Sequence, residues 1–549
     1  MCSIAGLFDK NGSNVSAPLL NMLKQTSHRG PDGCGIYVEG VLKKADNIQN
    51  LKIDHMHGNS GLGHSRLQIT GSAGVQPLTD CYKRFVLGFN GEIWNYKELR
   101  TDLLSKGHIF QTDSDSEVII HLIEENYKKC ANLSTSVLHA NQKLDGEFAF
   151  VVLDNTTKKL VLTRDPVGIK PLYYGQNKKY VSFCSEKKPL WRIGITPKRV
   201  LPGEVIELIF NTNSKRPVFE IQGNNALVRP FIKLRDQKTS AEKYKQALFN
   251  AVKKRIDDKN KIGIIFSGGI DSVLIARVAQ LLSCDITCYA SGFRDSPDVI
   301  ASIAAAKKLG LDLKIHELSE KEIELNLENI ISSIESTNHL QIDVAIPIFF
   351  AVKEAKKDGI RVMLTGQGAD EIFAGYSWYP EILKKEGGEI LNQSLWNDIK
   401  NLYKDTLERE DKITMYHSIE LRVPYLDSEV INVAMSISED LKIKENHVKY
   451  IHRKLAQDIG VPLDLAWRKK EAAQHGSNVH NKLLKMLEKM AKATPEKIST
   501  LCHTSENLGS AYRYNHDTYK KNHQIQNFLD NLGEKLGLYP EINYVAPNL

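Results

Sequence analysis

Lys261-Ile262-Gly263-Ile264-Ile265-Phe266-Ser267-Gly268-Gly269-Ile270-Asp271-Ser272 is the stretch whose reading decides the second half of the chain. It begins as a compact apolar strand and runs through a Ser/Gly loop into a helical pattern over 273–282. Two glycines let the backbone approach a ligand closely, and the N–H groups at the helix start then face an anion. Ser267 and Ser272 add donors, and Asp271 would repel a bare phosphate but can hold Mg²⁺ beside one. The GxxxxGK[ST] spacing is absent. The plain alternative is a Gly-rich turn with no ligand. Strand, loop and helix all fall where phosphate binding needs them, which favours the phosphate reading.

Outward from this loop, apolar strands at 285–290, 313–318 and 361–365 alternate with helices such as 300–309, the pattern of a parallel sheet covered on both faces. The last of these strands runs into Thr365-Gly366-Gln367-Gly368-Ala369-Asp370-Glu371. Loops at the C-terminal ends of one open sheet gather in one crevice. Asp370 is therefore expected as a second Mg²⁺ ligand facing Asp271, with Thr365 and Gly366 lining a nucleotide. Past residue 400 the pattern is largely helical, and past 494 it is polar with few core signals.

Upstream, residues 1–210 read as β-rich, with apolar runs at 85–89, 148–153 and 159–163 and a helix over 116–125, strands that bury a shared core as sheets. The polar stretch 211–238, with Pro217, Gly223 and Pro230, reads as a linker or crossing segment. Thr239 and Glu242 form a capping-box pattern at the start of the next helix. At about one domain per 150 residues, 549 residues suggest two to four domains.

The chain is 42% hydrophobic and 25% charged with a net charge of +7, a mild bias that suits anionic small molecules and does not argue for nucleic acid. Its eight cysteines (2, 34, 81, 130, 184, 284, 288, 502) are scattered without CxxC spacing, which argues against a disulfide framework or a zinc site. No signal peptide is visible, and no apolar run approaches the ~18 residues of a membrane span. A reducing, cytoplasmic setting fits.

The chain begins Met1-Cys2-Ser3-Ile4-Ala5-Gly6. If Met1 is trimmed, Cys2 carries both a thiol nucleophile and an α-amine of pKa roughly 7.7–8.0 that serves as its base. Taken alone, a processed terminus where any small residue would do is the simpler reading.

Other motifs change that balance. SGGIDS resembles the pyrophosphate loop of the ATP pyrophosphatases. Together with Cys2, an ordered set of motifs from Met1 to about Asn478 resembles the glutamine-dependent asparagine synthetases. They are SHRGPDG (27–33), HSRLQI (64–69), NGEIWN (90–95), TDSDSE (112–117), LDGEFAF (144–150), RDPVGIKPLYY (164–174), SPD (296–298), ELRVPYLD (420–427) and WRKKE (467–471). The resemblance implies an N-terminal-nucleophile αββα glutaminase sandwich over 1–210, a linker at 211–238, and a doubly wound parallel-sheet ATP pyrophosphatase domain with a helical C-terminal part over 239–494. Residues 495–549 remain an extension of unassigned role.

Carried over position by position, it implies that Cys2 attacks the glutamine amide, with Asn90 and the N–H of Gly91 as oxyanion hole. Arg66, Asp115 and Glu92 would grip the amino-acid end of glutamine, beside Leu67 and Ile69. In the second half, Ile265, Ser267, Gly268, Gly269, Ser291 and Gly292 would contact ATP, while Ser267, Ser272 and Lys470 stabilise departing pyrophosphate. Asp271 and Asp370 would hold Mg²⁺. Aspartate would be adenylated on its side chain and aminated by ammonia travelling inside the protein. The implied partners are these small molecules, without nucleic acid or membrane; a homodimer is compatible and the sequence does not decide it.

Two departures stand out. Position 367 is glutamate in the bacterial and animal-type members, and Gln367 cannot take a proton. Glu420 or a phosphate oxygen would stand in, or the step needs positioning more than a base, or the substrate differs. Residues 472–477, AAQHGS, also depart from the usual run. Both departures resemble the archaeal-type branch. The aspartate-facing stretch 334–338, IESTN, matches only in part. Two other readings are a related amidotransferase or cyclase acting on another carboxylate, and a catalytically silent regulatory protein. Cys2 argues against the first, and the joint presence of Cys2, Asn90, Asp115, SGGIDS and Asp370 against the second.

Overall fold

The computed structural model describes residues 2–71, 74–210, 217–230, 232–256, 261–445, 447–468, 476–493 and 516–539. The N-terminal half contributes β1 (Ser3–Asp9), β2 (Cys34–Val38), β3 (Val41–Ala45), β4 (Ser60–Ser65), β5 (Leu78–Thr79), β6 (Phe85–Ile93) and β7 (Gly146–Asp154). It continues with β8 (Leu160–Arg164), β9 (Tyr173–Gln176), β10 (Tyr180–Cys184), β11 (Lys198–Arg199), β12 (Glu204–Phe210) and β13 (Pro217–Asn224). These form two antiparallel sheets, ordered β11-β9-β10-β1-β4-β2-β3 and β13-β12-β8-β7-β6-β5.

Side-chain alternation explains why the sheets stack. On β7, Ala149, Val151 and Leu153 join Ile4 and Phe8 of β1 between the sheets, while Phe148, Phe150 and Val152 face the other way. That outer face is covered by the helix Glu117–Cys130 through Val118, Ile119, Leu122 and Ile123. The helix Ser16–Gln25 covers the first sheet, with Leu19 and Leu23 against Ala5, Leu7 and Ile36. The result is the αββα sandwich expected. One part of the stretch read as a linker is a strand: β13 pairs along β12 and closes the second sheet. Its polar, proline-bearing sequence suits an edge position. The next helix, Gln237–Ile256, starts before Thr239, because the Asp236 carboxylate accepts from the Thr239 N–H (2.7 Å) and acts as the cap.

The second half adds β14 (Ile262–Ile265), β15 (Ile286–Gly292), β16 (Asp312–Glu317), β17 (Val362–Leu364) and β18 (Glu420–Arg422), all parallel, in the order β16-β15-β14-β17-β18. β18 lies in the ELRVP motif and is too short to show periodicity. Ile264, Val362 and Leu364 pack against the helices Gln237–Ile256 and Ile270–Leu281. Tyr289, Met363 and Leu421 face the helices Glu320–Ile334 and His339–Lys357. Ile525, Leu529 and Leu532 of the helix His516–Lys535 return to that second cluster, so the tail left unassigned from its polarity helps to seal the sheet. Among the described residues, no helix is long and apolar enough to cross a membrane.

The two halves meet on the helix Glu408–Tyr416 through buried, mutually paired charges. Arg29 bonds Asp411 (2.8 Å), and Glu408 accepts from Tyr173 (2.6 Å) and pairs with Arg164 and Arg199 (3.2 and 3.1 Å). Glu335 holds Lys412 (2.8 Å) and accepts the N–H groups of Lys187 and Lys188 (3.0 and 2.7 Å). Losing one member of such a set costs about 3–5 kcal/mol, because its partner stays buried and unpaired. Glu335 belongs to the stretch expected to face aspartate; here it fastens the halves together, and Thr337 bonds Asp530 of the C-terminal helix (2.6 Å).

Candidate active sites

β1 delivers Cys2 to the end of a central strand, where it is buried. Its nitrogen donates to Asn90 Oδ1 (2.9 Å). Asn90 is wholly buried on β6, and its Nδ2 has no hydrogen-bond partner among the described residues. A buried amide N–H₂ is rarely left unpaired. With Oδ1 spent on Cys2, Nδ2 can only donate, which is what a tetrahedral oxyanion beside the thiol requires. Gly91 follows in a conformation only glycine tolerates: a Cβ there would lie 2.1 Å from the Glu147 carbonyl oxygen. Burial raises the Cys2 thiol pKa, and the adjacent amino terminus opposes it. Burial thus disfavours the thiolate, and a thiol in this position needs a proton acceptor at hand.

The expected glutamine-binding groups converge. Glu92 accepts from Thr70 Oγ1 (2.7 Å), and Asp115 accepts from the Ile93 N–H (2.9 Å). Burial, with each carboxylate's acidic neighbours adding to it, lifts Glu92 to about 8 and Asp115 to about 6. Two carboxyls crowded in this way want a cation. Arg66 Nη2 donates to the Gly71 carbonyl (3.0 Å). Leu67 and Ile69 turn their side chains to Met415 of the second half, which leaves their backbone for any contact with glutamine. Arg29, within the SHRGPDG motif, had no role assigned from the sequence. Its Nε donates to the Cys2 carbonyl (3.2 Å), and Nη1 and Nη2 reach Glu186 (3.2 Å) and Asp411 (2.8 Å), so one guanidinium ties the nucleophile's backbone to the second half.

The second site lies at the C-terminal ends of β14 and β17, where the strand order reverses direction. Gly268 adopts φ +67°, and a Cβ there would press on the Ala301–Ser302 backbone. The Gly269 N–H reaches Ser267 Oγ (3.3 Å), and Ser272 Oγ donates to the Gly269 carbonyl (3.1 Å), which shapes the loop. Ile265 ends β14, Ser291 and Gly292 end β15, and buried Ser291 Oγ has no partner among the described residues. Thr365 is buried after β17, and Gly366 sits so close to Asp271 that a Cβ would come within 2.9 Å of it. Asp271 and Asp370 do meet: Lys449 Nζ lies 2.7 Å from a carboxylate oxygen of each. His452 Nε2 adds a contact to Asp271 at 3.1 Å. Lys449 and His452 carried no motif signal, since they reach the site from a separate helical segment. Lys470 and the 472–475 run lie outside the described residues.

Glu420, expected as a stand-in base, is already paired. It is wholly buried on β18 and bonds Arg422 Nε (2.5 Å). Against the pull of burial, Arg422 brings its carboxyl down to about 2, and its charge is felt at Glu92 and Asp115. An anion that holds its proton so weakly is a poor base. The carboxylate next to Gln367 is Glu410, whose Oε1 accepts from Gln367 Nε2 (2.5 Å). Burial lifts Glu410 to about 7, with the Glu371 carboxyl pushing the same way and Arg409 opposing. Glu410 has the same helix as Glu408, Asp411 and Lys412, the residues that grip the N-terminal half.

Comparison with known proteins identifies the family of both halves. Residues 1–245 match the family model of the glutamine amidotransferase domain. Residues 243–390 and 383–529 match that of asparagine synthase. A Methanocaldococcus jannaschii protein provisionally named as a glutamine-hydrolyzing asparagine synthetase is 36% identical over 90% of this chain and 96% of its own length. The glutamine-hydrolyzing asparagine synthetase of Sandersonia aurantiaca is 31% identical over 83% of each chain. Among solved structures, the B. subtilis glutamine phosphoribosylpyrophosphate amidotransferase is similar at 17% identity and a TM-score of 0.37, over 75% of this chain and 96% of that one. The chain belongs to the glutamine-hydrolysing asparagine synthetase family, with a glutamine amidotransferase domain followed by an asparagine synthase domain.

Proposed function

We propose that the chain makes asparagine from aspartate, glutamine and ATP, with Cys2 releasing the ammonia that the second site consumes. The observation that carries the first half is Asn90, which holds the Cys2 nitrogen through Oδ1 and keeps a buried Nδ2 donor to spare. Glutamine would lie with its α-ammonium against Glu92 and Asp115 and its α-carboxylate against Arg66. Once Met1 is trimmed, the Cys2 thiol gives its proton to the α-amine as sulfur attacks the side-chain amide. The new oxyanion takes hydrogen bonds from Asn90 Nδ2 and the Gly91 N–H, each worth a few kcal/mol. Its collapse expels ammonia, and water then frees the thioester as glutamate.

At the second site the aspartate side-chain carboxylate would attack the α-phosphorus of ATP and expel pyrophosphate over the Ser267–Ser272 loop. The donor set fits Mg²⁺: two carboxylates, Asp271 and Asp370, converge on one cation-sized point that Lys449 Nζ shares. Bound there, the metal would neutralise the phosphates, and Lys449 would be released toward the leaving group.

Gln367 and Glu410 together would do the work that a glutamate does at position 367 in relatives of the bacterial and animal type. An ionised Glu410 accepts only, so Gln367 must turn Nε2 to it and present Oε1 as an acceptor. That oxygen would orient ammonia for attack on the adenylate carbonyl. The buried charge one hydrogen bond behind would stabilise the positive charge that grows on nitrogen.

The test is Cys2→Ala. It should abolish glutamine-dependent asparagine formation and leave ammonia-dependent formation, with AMP and pyrophosphate, within twofold of wild type. Loss of both activities in a folded variant would sink the division of labour.

A further inference from the structure

Outside both sites, on the face of the second antiparallel sheet turned away from the first, four ligand-bearing side chains meet. His121 and Glu124 sit at i and i+3 on the helix Glu117–Cys130. His108 comes from the loop before that helix, and Cys81 from the turn between β5 and β6. His108, His121 and Glu124 are buried, while Cys81 is exposed and marks a path of entry. The two imidazole Nδ1 atoms lie 3.3 Å apart, and Glu124 Oε2 lies 3.5 Å from one and 3.7 Å from the other. Cys81 Sγ completes the group, within 4.8 Å of the His121 and Glu124 ligand atoms.

Three features make this more than a cluster of polar groups. The first is the spacing. Ligands about 2.0–2.1 Å from a tetrahedral zinc stand roughly 3.3–3.5 Å from one another, and the N···N and two N···O separations lie in or near that range. The second is an unmet need. Glu124 Oε2 is buried without a hydrogen-bond partner among the described residues, while its other oxygen is held by Lys128 (2.9 Å). A hydrogen bond between the two Nδ1 atoms would leave that oxygen stranded; a cation satisfies all three lone pairs. The third is the outer layer. His108 Nε2 is hydrogen-bonded to the Glu125 carboxylate (3.4 Å), and a Glu117 oxygen lies 3.5 Å from His121 Nε2, without a hydrogen bond among the described residues. Carboxylate–histidine pairs of this kind fix the tautomer and raise the basicity of metal-bound imidazoles.

We propose that His108, His121, Glu124 and Cys81 form a site for one divalent transition-metal ion, with zinc the best match to an N₂OS donor set. Cys81 Sγ would lose its proton on binding, and with Glu124 would neutralise the ion. The ion would pin the β5–β6 turn and the 108–110 loop to the helix; it takes no part in either reaction. Scattered cysteine spacing argued against zinc, but that argument covers only ligands close in sequence. These four come from three separate segments, with one thiol among them.

The test uses the full chain carrying Cys2→Ala, which removes the proposed nucleophilic thiol, stripped with chelator and titrated with Co²⁺ as the probe. About one equivalent should bind with the intense visible bands of tetrahedral cobalt and a thiolate charge-transfer band, and one equivalent of Zn²⁺ should displace it. Adding Cys81→Ser should remove the charge-transfer band and weaken binding at least tenfold. Cys81→Ser alone should leave both activities unchanged. His121→Gln should abolish the visible bands; if that variant does not fold, Cys81→Ser decides. Less than a tenth of an equivalent bound, or a spectrum indifferent to Cys81→Ser, would overturn the proposal. None of these outcomes bears on asparagine synthesis.

Discussion

Replacing Glu410 by glutamine isolates the question raised at position 367. The variant keeps the shape of the side chain and an oxygen that can accept from Gln367 Nε2, and it removes only the charge. Hydrogen bonds to charged groups contribute about 1.5–3 kcal/mol against about 0.5–1.5 for neutral ones. The charge is thus worth roughly 1–1.5 kcal/mol, about tenfold in kcat for the amination step. Pyrophosphate exchange, which reports adenylation, and glutaminase turnover should change less than twofold. Because burial holds Glu410 at about 7, kcat for synthesis in wild type should fall as pH drops through 7 with adenylation held saturating, and Glu410→Gln should lack that limb. Stability supplies the control. A carboxyl whose folded pKa is raised contributes stability that is fully present below the unfolded value and lost as pH rises through the folded one. From 4.5 to about 7 this corresponds to about 3 kcal/mol, so at pH 8 the variant should melt higher than wild type. Stopped-flow or quench-flow synthesis assays with ammonia, run from pH 6 to 9, measure the rate effect. A variant with full kcat and an unchanged acid limb would refute the role given to Glu410.

Other outcomes follow from the same geometry. Swapping the pair, Gln367→Glu with Glu410→Gln, should restore synthesis to near wild type, whereas Gln367→Glu alone sets two carboxyls at hydrogen-bond distance and should raise one pKa far above neutrality without a gain in rate. Glutamine binding should release protons. Glu92 (about 8) and Asp115 (about 6) must ionise to meet an α-ammonium, so affinity in Cys2→Ala should rise from pH 6 to 8, and calorimetry should show buffer-dependent heats; heats independent of buffer would contradict this. Lys449→Met should cost about 3 kcal/mol in urea unfolding without divalent ions, since it leaves two carboxylates facing each other, and millimolar Mg²⁺ should recover more stability in the variant than in wild type. Equal stability without Mg²⁺ would show that Lys449 is not what holds the pair.

What was readable in the sequence had local form. Continuous apolar strands and the loops after them located β14, β15 and β17, and hence Asp271 and Asp370 in one crevice. Cys2 and the NGE run at 90–92 were visible through the motifs that carry the family resemblance, and β6 holds the latter run. The parts that stayed hidden depend on long-range pairing. Arg29 lies in the SHRGPDG motif, which does not say what it pairs with, and Glu410 and Lys449 sit in stretches with no distinctive spacing; the meaning of all three comes from partners far along the chain, 43 residues away for Glu410, 178 for Lys449 and 382 for Arg29. The pairing of Glu420 was hidden for the same reason. Its motif is conspicuous, but the side chain that fixes its ionisation, Arg422, also faces the glutaminase pocket through Glu92. Glu335, in the stretch 334–338 read as aspartate-facing, holds Lys412 of its own half and accepts two N–H groups across the junction, partners no local pattern announces.

The central claim is that the two sites form one synthetase for aspartate. It is tested most directly by giving the purified full chain amide-¹⁵N glutamine, aspartate, ATP and Mg²⁺ in the presence of unlabelled ammonium, and measuring asparagine, AMP and pyrophosphate by mass spectrometry. The account requires asparagine carrying ¹⁵N in its side-chain amide, formed one-for-one with AMP and pyrophosphate. Glutamate released without labelled asparagine, or ADP and phosphate in place of AMP and pyrophosphate, would contradict it.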